Sequence, residues 1–164
     1  MLQFVQCPVC YVENKRPLYD SVENFICHHC SHEWNQQEVT ALAYENIQKL
    51  RLSVSSFDAG EDIYELDFVQ SSIHFKRPFN QPSIDTHGIL SEKELKRIRK
   101  RLIQLDVLNW SDEYIMEHVL DGTMWSLQID TPFERIEKHG HQEFPKQWDS
   151  FVQCLENIRR NASI

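Results

Sequence analysis

The sequence predicts an α+β protein, with a small four-cysteine unit at the N-terminus and then an antiparallel sheet packed against helices. Three observations carry that reading. Two Cys-x-x-Cys pairs fall within the first thirty residues. Alternating apolar and polar residues, the period of a half-buried strand, come in two paired blocks. Apolar residues at helical spacing follow each block, so the order is strand-strand, helix, strand-strand, helix.

Cys7-Pro-Val-Cys10 and Cys27-His-His-Cys30 are separated by sixteen residues. A Cys-x-x-Cys loop presents both sulfurs on one side of a tight turn. Two such loops can supply four thiolates at the corners of a tetrahedron, which suits a structural Zn²⁺ at about 2.3 Å per Zn–S bond. Such a site is closed and leaves the metal no open position for chemistry. Phe4 and Val5 lead into the first pair with strand character, and Asn24, Phe25 and Ile26 lead into the second. Between them Asn14, Pro17 and Asp20 favour turns. Disulfide pairing is disfavoured, because no signal peptide or apolar span is visible and a cytoplasmic chain keeps its thiols reduced. Thioredoxin-type chemistry uses one such pair at a helix start, not two facing pairs. A zinc deaminase places His-x-Glu before its cysteines, whereas His32 and Glu33 follow them here.

The run Cys27-His28-His29-Cys30-Ser31-His32-Glu33-Trp34 resembles the second knuckle of zinc-ribbon domains, often Cys-x-x-Cys-Gly-His-x-Trp. The resemblance covers roughly the first thirty-six residues. It implies a zinc β-ribbon with Cys7, Cys10, Cys27 and Cys30 as ligands to one structural Zn²⁺. Ser31 departs from the pattern, standing where ribbons usually have glycine. His28, His29 and His32 read as solvent-facing knuckle residues or donors to a sulfur.

The expected organisation is a zinc ribbon over 1–36, a connecting helix and linker over 37–56, and an α+β domain over 57–164. Residues 38–52 read as a helix, with Val39, Leu42, Ala43, Ile47 and Leu50 at helical spacing and Asn35 as N-cap. Residues 53–60 read as a polar connection. From 63 to 69 the chain alternates, with Tyr64, Leu66 and Phe68 on one face, and Ile73 and Phe75 continue the pattern. Residues 78–88, with Asn80 and Pro82, read as a loop or irregular edge. Ser91 and Glu94 stand in capping-box positions for a helix to about Leu105, with Leu95, Ile98, Leu102 and Leu105 as its buried stripe. Residues 110–120 fit either a helix or a loop with a short strand. Trp125, Leu127 and Ile129 line one face of a strand over 123–130. Its partner runs over 133–139 and is broken by Gly140. Pro145 suits the first turn of a last helix carrying Trp148, Phe151, Val152, Leu155 and Ile158. Each of the four glycines is read as a turn, and no internal repeat stands out. Asp121-Gly122-Thr123-Met124-Trp125-Ser126-Leu127, with Gly140 and Phe144-Pro145 before Trp148, resembles a pattern in uncharacterised bacterial α+β domains. That resemblance supports the fold and brings no catalytic residues.

The chain has 164 residues and a net charge of −8, enough for one small module and a domain of ordinary size. Four glycines are too few for a phosphate-binding loop, which sets aside P-loop and dinucleotide folds. Lys15 and Arg16 are outnumbered by Glu13, Asp20, Glu23 and Glu33 in the first module, which disfavours tight nucleic-acid binding there. The stretch 93–101 holds Lys93, Lys96, Arg97, Arg99, Lys100 and Arg101 and reads first as a solvated helix face. His139 and His141, with Glu143 near, form a weak candidate for a second metal, and surface histidines are the plainer reading. Trp34, Trp110, Trp125 and Trp148 read as core residues, and Cys154 as a partly buried free thiol. The expected function is therefore a non-catalytic, zinc-binding protein-interaction module in the cytoplasm. An immunity or inhibitor protein for a basic toxin is one concrete form. The alternative is a nucleic-acid-associated regulator using the ribbon and the basic helix. A metal-dependent hydrolase centred on His139 and His141 ranks third.

Overall fold

The computed structural model describes residues 4–15, 24–57, 59–78, 82–119 and 121–162. Pro17, Asp20 and Asn80, expected in turns, lie outside them. The first module contains two antiparallel hairpins, β1 (Phe4–Gln6) with β2 (Glu13–Lys15) and β3 (Asn24–Ile26) with β4 (Glu33–Asn35). Helix α1 (Gln36–Glu45) follows directly. Its N-cap is Asn35, whose side chain accepts from the Glu38 N–H while Glu38 accepts from the Asn35 N–H.

The larger unit is a seven-stranded sheet flanked by α2 (Glu92–Gln104) and α3 (Trp148–Asn161). Its strands are β5 (Lys49–Ser56), β6 (Gly60–Asp67), β7 (Ser72–Arg77), β8 (Ile84–Ile89), β9 (Glu113–Ile115), β10 (Met124–Asp130) and β11 (Arg135–His141). They lie in the order β8-β7-β6-β5-β10-β11-β9. Neighbours are antiparallel except β11 and β9, which are parallel. The fold is α+β as expected, with a mixed sheet larger than the four strands foreseen.

The added strands come from segments read otherwise. The helix expected over 38–52 ends at Glu45, where Asn46 caps it by donating its N–H to the Leu42 carbonyl. Residues beyond it form β5, which pairs with β6 on one edge and β10 on the other. Leu50 and Leu52 are buried there, two residues apart as a strand requires. Ser53, Val54, Ser55 and Ser56, read as a connection, are poor helix formers that complete this central strand. The expected loop over 78–88 contains β8, and the ambiguous 110–120 holds β9 after a short 3-10 turn at Val107–Asn109.

Two glycines expected in turns lie inside strands. Gly88 stands in β8, where an added Cβ would lie 2.3 Å from Ala162 Cβ. Gly140 does not end β11. The Trp125 indole lies against it, and an added Cβ would come within 2.2 Å of Trp125 Nε1. Pro145 precedes α3 by a turn, its carbonyl accepting from the Trp148 N–H, and Gln147 is the N-cap.

Directly paired residues share a face, so the register sorts the sheet into two sides. Leu50, Leu52, Leu66, Ile73, Phe75, Trp125, Leu127 and Ile129 join one core with Ile98 and Leu102 of α2 and Phe151 and Leu155 of α3. Trp110 meets Phe151 edge to face, with centroids 5.1 Å apart. The opposite side carries Arg51, Glu65, His74, Lys76, Asp85, His87, Glu137 and His139 in cross-strand rows and is largely open. Among the described residues, no helix is long and apolar enough to cross a membrane.

Candidate metal centre

The two hairpins repeat one another at an offset of twenty residues: β1 with β3, Cys7 with Cys27, Cys10 with Cys30, β2 with β4. No repeat was legible in the sequence because little besides the cysteines is shared. The backbone repeats the bonds nonetheless. The Cys7 N–H donates to the Val12 carbonyl and the Cys27 N–H to the His32 carbonyl. The Tyr11 N–H donates to the Cys7 carbonyl and the Ser31 N–H to the Cys27 carbonyl. Tyr11 and Ser31 both stand at φ 60°, so each loop turns back through one left-handed residue. Ser31 thus adopts the conformation glycine favours, and the departure from the ribbon pattern leaves the turn intact.

The loops bring four sulfurs together. Cys7 Sγ lies 3.6 Å from Cys30 Sγ and Cys10 Sγ lies 3.5 Å from Cys27 Sγ, and all four fall within 4.8 Å of one another. A disulfide would need about 2.0 Å. Tetrahedral Zn²⁺ at about 2.3 Å per bond places its sulfurs about 3.8 Å apart, so the cluster is compatible with zinc. The surroundings suit a thiolate cluster. The Val9 N–H donates to Cys7 Sγ at 3.5 Å and the His29 N–H to Cys27 Sγ at 3.4 Å. Asn14 is buried in β2. Its Nδ2 lies 3.6 Å from Cys27 Sγ, and its Oδ1 accepts from the His28 N–H at 2.9 Å. This second role of Asn14 went unread, since a short polar residue before Pro17 reads as a turn former.

Burial works to raise the Cys27 thiol, but N–H groups of Cys30 and His29, the Asn14 amide and the Cys10 sulfur outweigh it and bring it down to about 5. At Cys10 the Val12 backbone pulls downward, while burial and the sulfurs of Cys27, Cys30 and Cys7 push the thiol up to about 12. A cation held by these sulfurs would compete with their protons. Val5, Phe25, Trp34 and the α1 residue Val39 form a small apolar core around Cys7 and Cys27. Asn46 Nδ2 donates to Gln6 Oε1 at 3.3 Å, tying the end of α1 to β1.

No family model matches this chain, and no curated protein matches it. Fold and site together define an α+β protein with an N-terminal four-cysteine cluster able to hold a metal ion.

His139 and His141 share the open side of β11, and His139 Nε2 lies 3.7 Å from Glu113 Oε1. They belong to no group of three metal-binding side chains among the described residues. One such group does form elsewhere, from His74, Asp85 and His87. Cys154 is a partly buried free thiol whose pKa is raised by burial. It borders an open groove of about 850 Å³ between α2 and α3, together with Arg97, Lys100, Arg101, Glu94 and Asp149. Within the basic helix, the Arg99 guanidinium lies 4.2 Å from the Phe68 ring centroid and donates to the Tyr44 carbonyl. Lys96 pairs with Glu92 at 2.7 Å.

Proposed function

We propose that the protein is a non-catalytic protein-interaction module stabilised by one structural Zn²⁺, held by Cys7, Cys10, Cys27 and Cys30 in a ribbon-like unit. The convergence of four protein sulfurs supports this reading most directly, since a fourfold thiolate shell fills every position of a tetrahedral ion. The unit also exposes large apolar side chains. Val9, Tyr11 and Ile26 are 57%, 69% and 68% exposed around a core that buries Val5 and Phe25. A net charge of −8 suits a cationic protein partner, as an inhibitor of a basic toxin would meet.

Arg97, Lys100 and Arg101 on one groove favour a second reading, a nucleic-acid-associated regulator. Glu94 and Asp149 on the same groove, and the engagement of Arg99 and Lys96 within the fold, weigh against it. Affinity capture from the native host tests the first reading, comparing the wild type with a Tyr11→Glu/Ile26→Glu variant of unchanged metal content. A partner protein retained by the wild type and lost by the variant is the expected result. Equal retention by both, or retention of nucleic acid alone, overturns it.

A further inference from the structure

We propose a second metal site on the open side of the sheet, in which His74, Asp85 and His87 bind a divalent transition ion of the zinc class. Register builds the cluster. His74 of β7 pairs directly with Glu65 of β6 and with His87 of β8, so the three form one row across three strands. Asp85 lies two residues from His87 and therefore on the same side. The His74 and His87 rings stack with centroids 3.6 Å apart, so the exposed His87 ring must swing out of the stack for both in-plane lone pairs to meet one ion. Asp85 Oδ1 lies 2.6 Å from His74 Nε2 and 3.6 Å from His87 Nε2. Two donors on a tetrahedral zinc ion at about 2.0–2.1 Å stand about 3.3 Å apart. The two Asp85–histidine separations straddle that value, and an ion seated between the groups would lengthen the shorter one.

The far side of His74 is also arranged for a ligand. Its Nδ1 lies 3.2 Å from Glu65 Oε2, the carboxylate–imidazole contact that orients metal-binding histidines and raises their basicity. Glu65 is held in turn by Arg51 at 3.3 Å and Lys76 at 3.7 Å. His74 is the least exposed of the three donors and His87 the most, so the ion would enter from the His87 side. Three protein donors leave a fourth position for water, unlike the closed cysteine cluster. The sequence signal was Asp85-Thr86-His87, which places two donors on one face only if the segment is a strand.

The test is a calorimetric titration of Zn²⁺ into the 164-residue chain already carrying zinc at the cysteines. One further equivalent, bound with proton release, is expected. His87→Gln, at a position 71% exposed and safe for folding, should weaken it at least tenfold, as should His74→Ala. Glu65→Gln should retain the stoichiometry and weaken binding about tenfold or more. His139→Ala with His141→Ala should leave it unchanged. No second equivalent, or one that survives His74→Ala with His87→Gln, overturns the site. An affinity unmoved by Glu65→Gln removes Glu65 from it. Loss of binding in the His139→Ala/His141→Ala variant overturns the assignment in favour of β11. Zinc at the cysteines is counted separately by thiol reactivity, so failure here is distinct from failure of the first reading.

Discussion

Lys138 Nζ donates to the Trp110 carbonyl at 2.5 Å from a side chain with no solvent exposure. It also meets Asp112 Oδ1 at 3.2 Å. The contact ties β11 to the segment that leads into β9, and it places a cation on the core side of the sheet opposite Leu127. Lys138→Met keeps the aliphatic stem and removes the donor, leaving the Trp110 carbonyl unsatisfied. It should destabilise the protein by about 1–3 kcal/mol in a urea titration.

Trp125 and Gly140 are paired across β10 and β11, and the indole N–H continues to the Glu143 carbonyl at 2.9 Å. Trp125→Ala should destabilise by about 3–5 kcal/mol, as large-to-small core changes do. Gly140→Ala should destabilise by about 1–3 kcal/mol through overpacking. The double variant should lose less than the two added together, because the smaller side chain vacates the space the new methyl needs. Additive losses in denaturant titrations would show that the two residues do not share that space.

Replacing Cys27 by Ser should abolish zinc binding and unfold both hairpins, since structural zinc in small fingers contributes about 10–16 kcal/mol. Val39 shares the hairpin core, so the start of α1 should loosen too. The seven-stranded sheet should persist. Elemental analysis gives the metal content, and amide exchange resolved by residue separates the two outcomes.

Glu156 accepts from Arg159 Nε at 2.9 Å and Arg160 Nε at 2.8 Å. Arg159 foremost, against the effect of burial, draws its carboxyl down to about 2 from an ordinary 4.5. A lowered folded value means that this stabilisation is present above pH 4.5 and lost as pH falls toward 2. Glu156→Gln should remove only about 1 kcal/mol of acid-dependent stability, because solvent screens these partly exposed pairs. Paired stability measurements through that pH range, wild type minus variant, isolate the contribution.

At about 0.15 M salt the protein should bind neither duplex DNA, single-stranded DNA nor structured RNA with sub-micromolar affinity. Its net charge of −8 opposes approach. Fluorescence anisotropy checks this. Tight binding that disappears on charge reversal at Arg97 and Arg101 would establish the regulator reading instead.

The cysteine cluster is legible in the sequence because ligand spacing is local: two short loops declare their own geometry. The capping box at Ser91 and Glu94 is legible for the same reason and is present in the structure. β5 is not, because Leu42, Ile47 and Leu50 fit a helical period as well as Leu50 and Leu52 fit a strand, and only pairing on both edges decides. Lys138 is hidden because a lysine in an alternating segment reads as solvent-facing, and its partner lies 28 residues away. The His74 cluster depends on β8, which Pro82 and Gly88 disguise as a loop.

The position of β5 in the sheet has a consequence for how the chain reaches its fold. From β5 to β8 each strand pairs with its successor in the sequence, so this half can zip up locally. The hairpin of β10 and β11 is equally local. The seam between the halves is not: β5 meets β10 across roughly seventy to eighty residues. Closing that long loop costs more conformational entropy than closing either half, so the seam should form after the two halves. Until it closes, the two half-sheets each present an unpaired edge at β5 and β10, the surface most prone to pairing with another chain during synthesis.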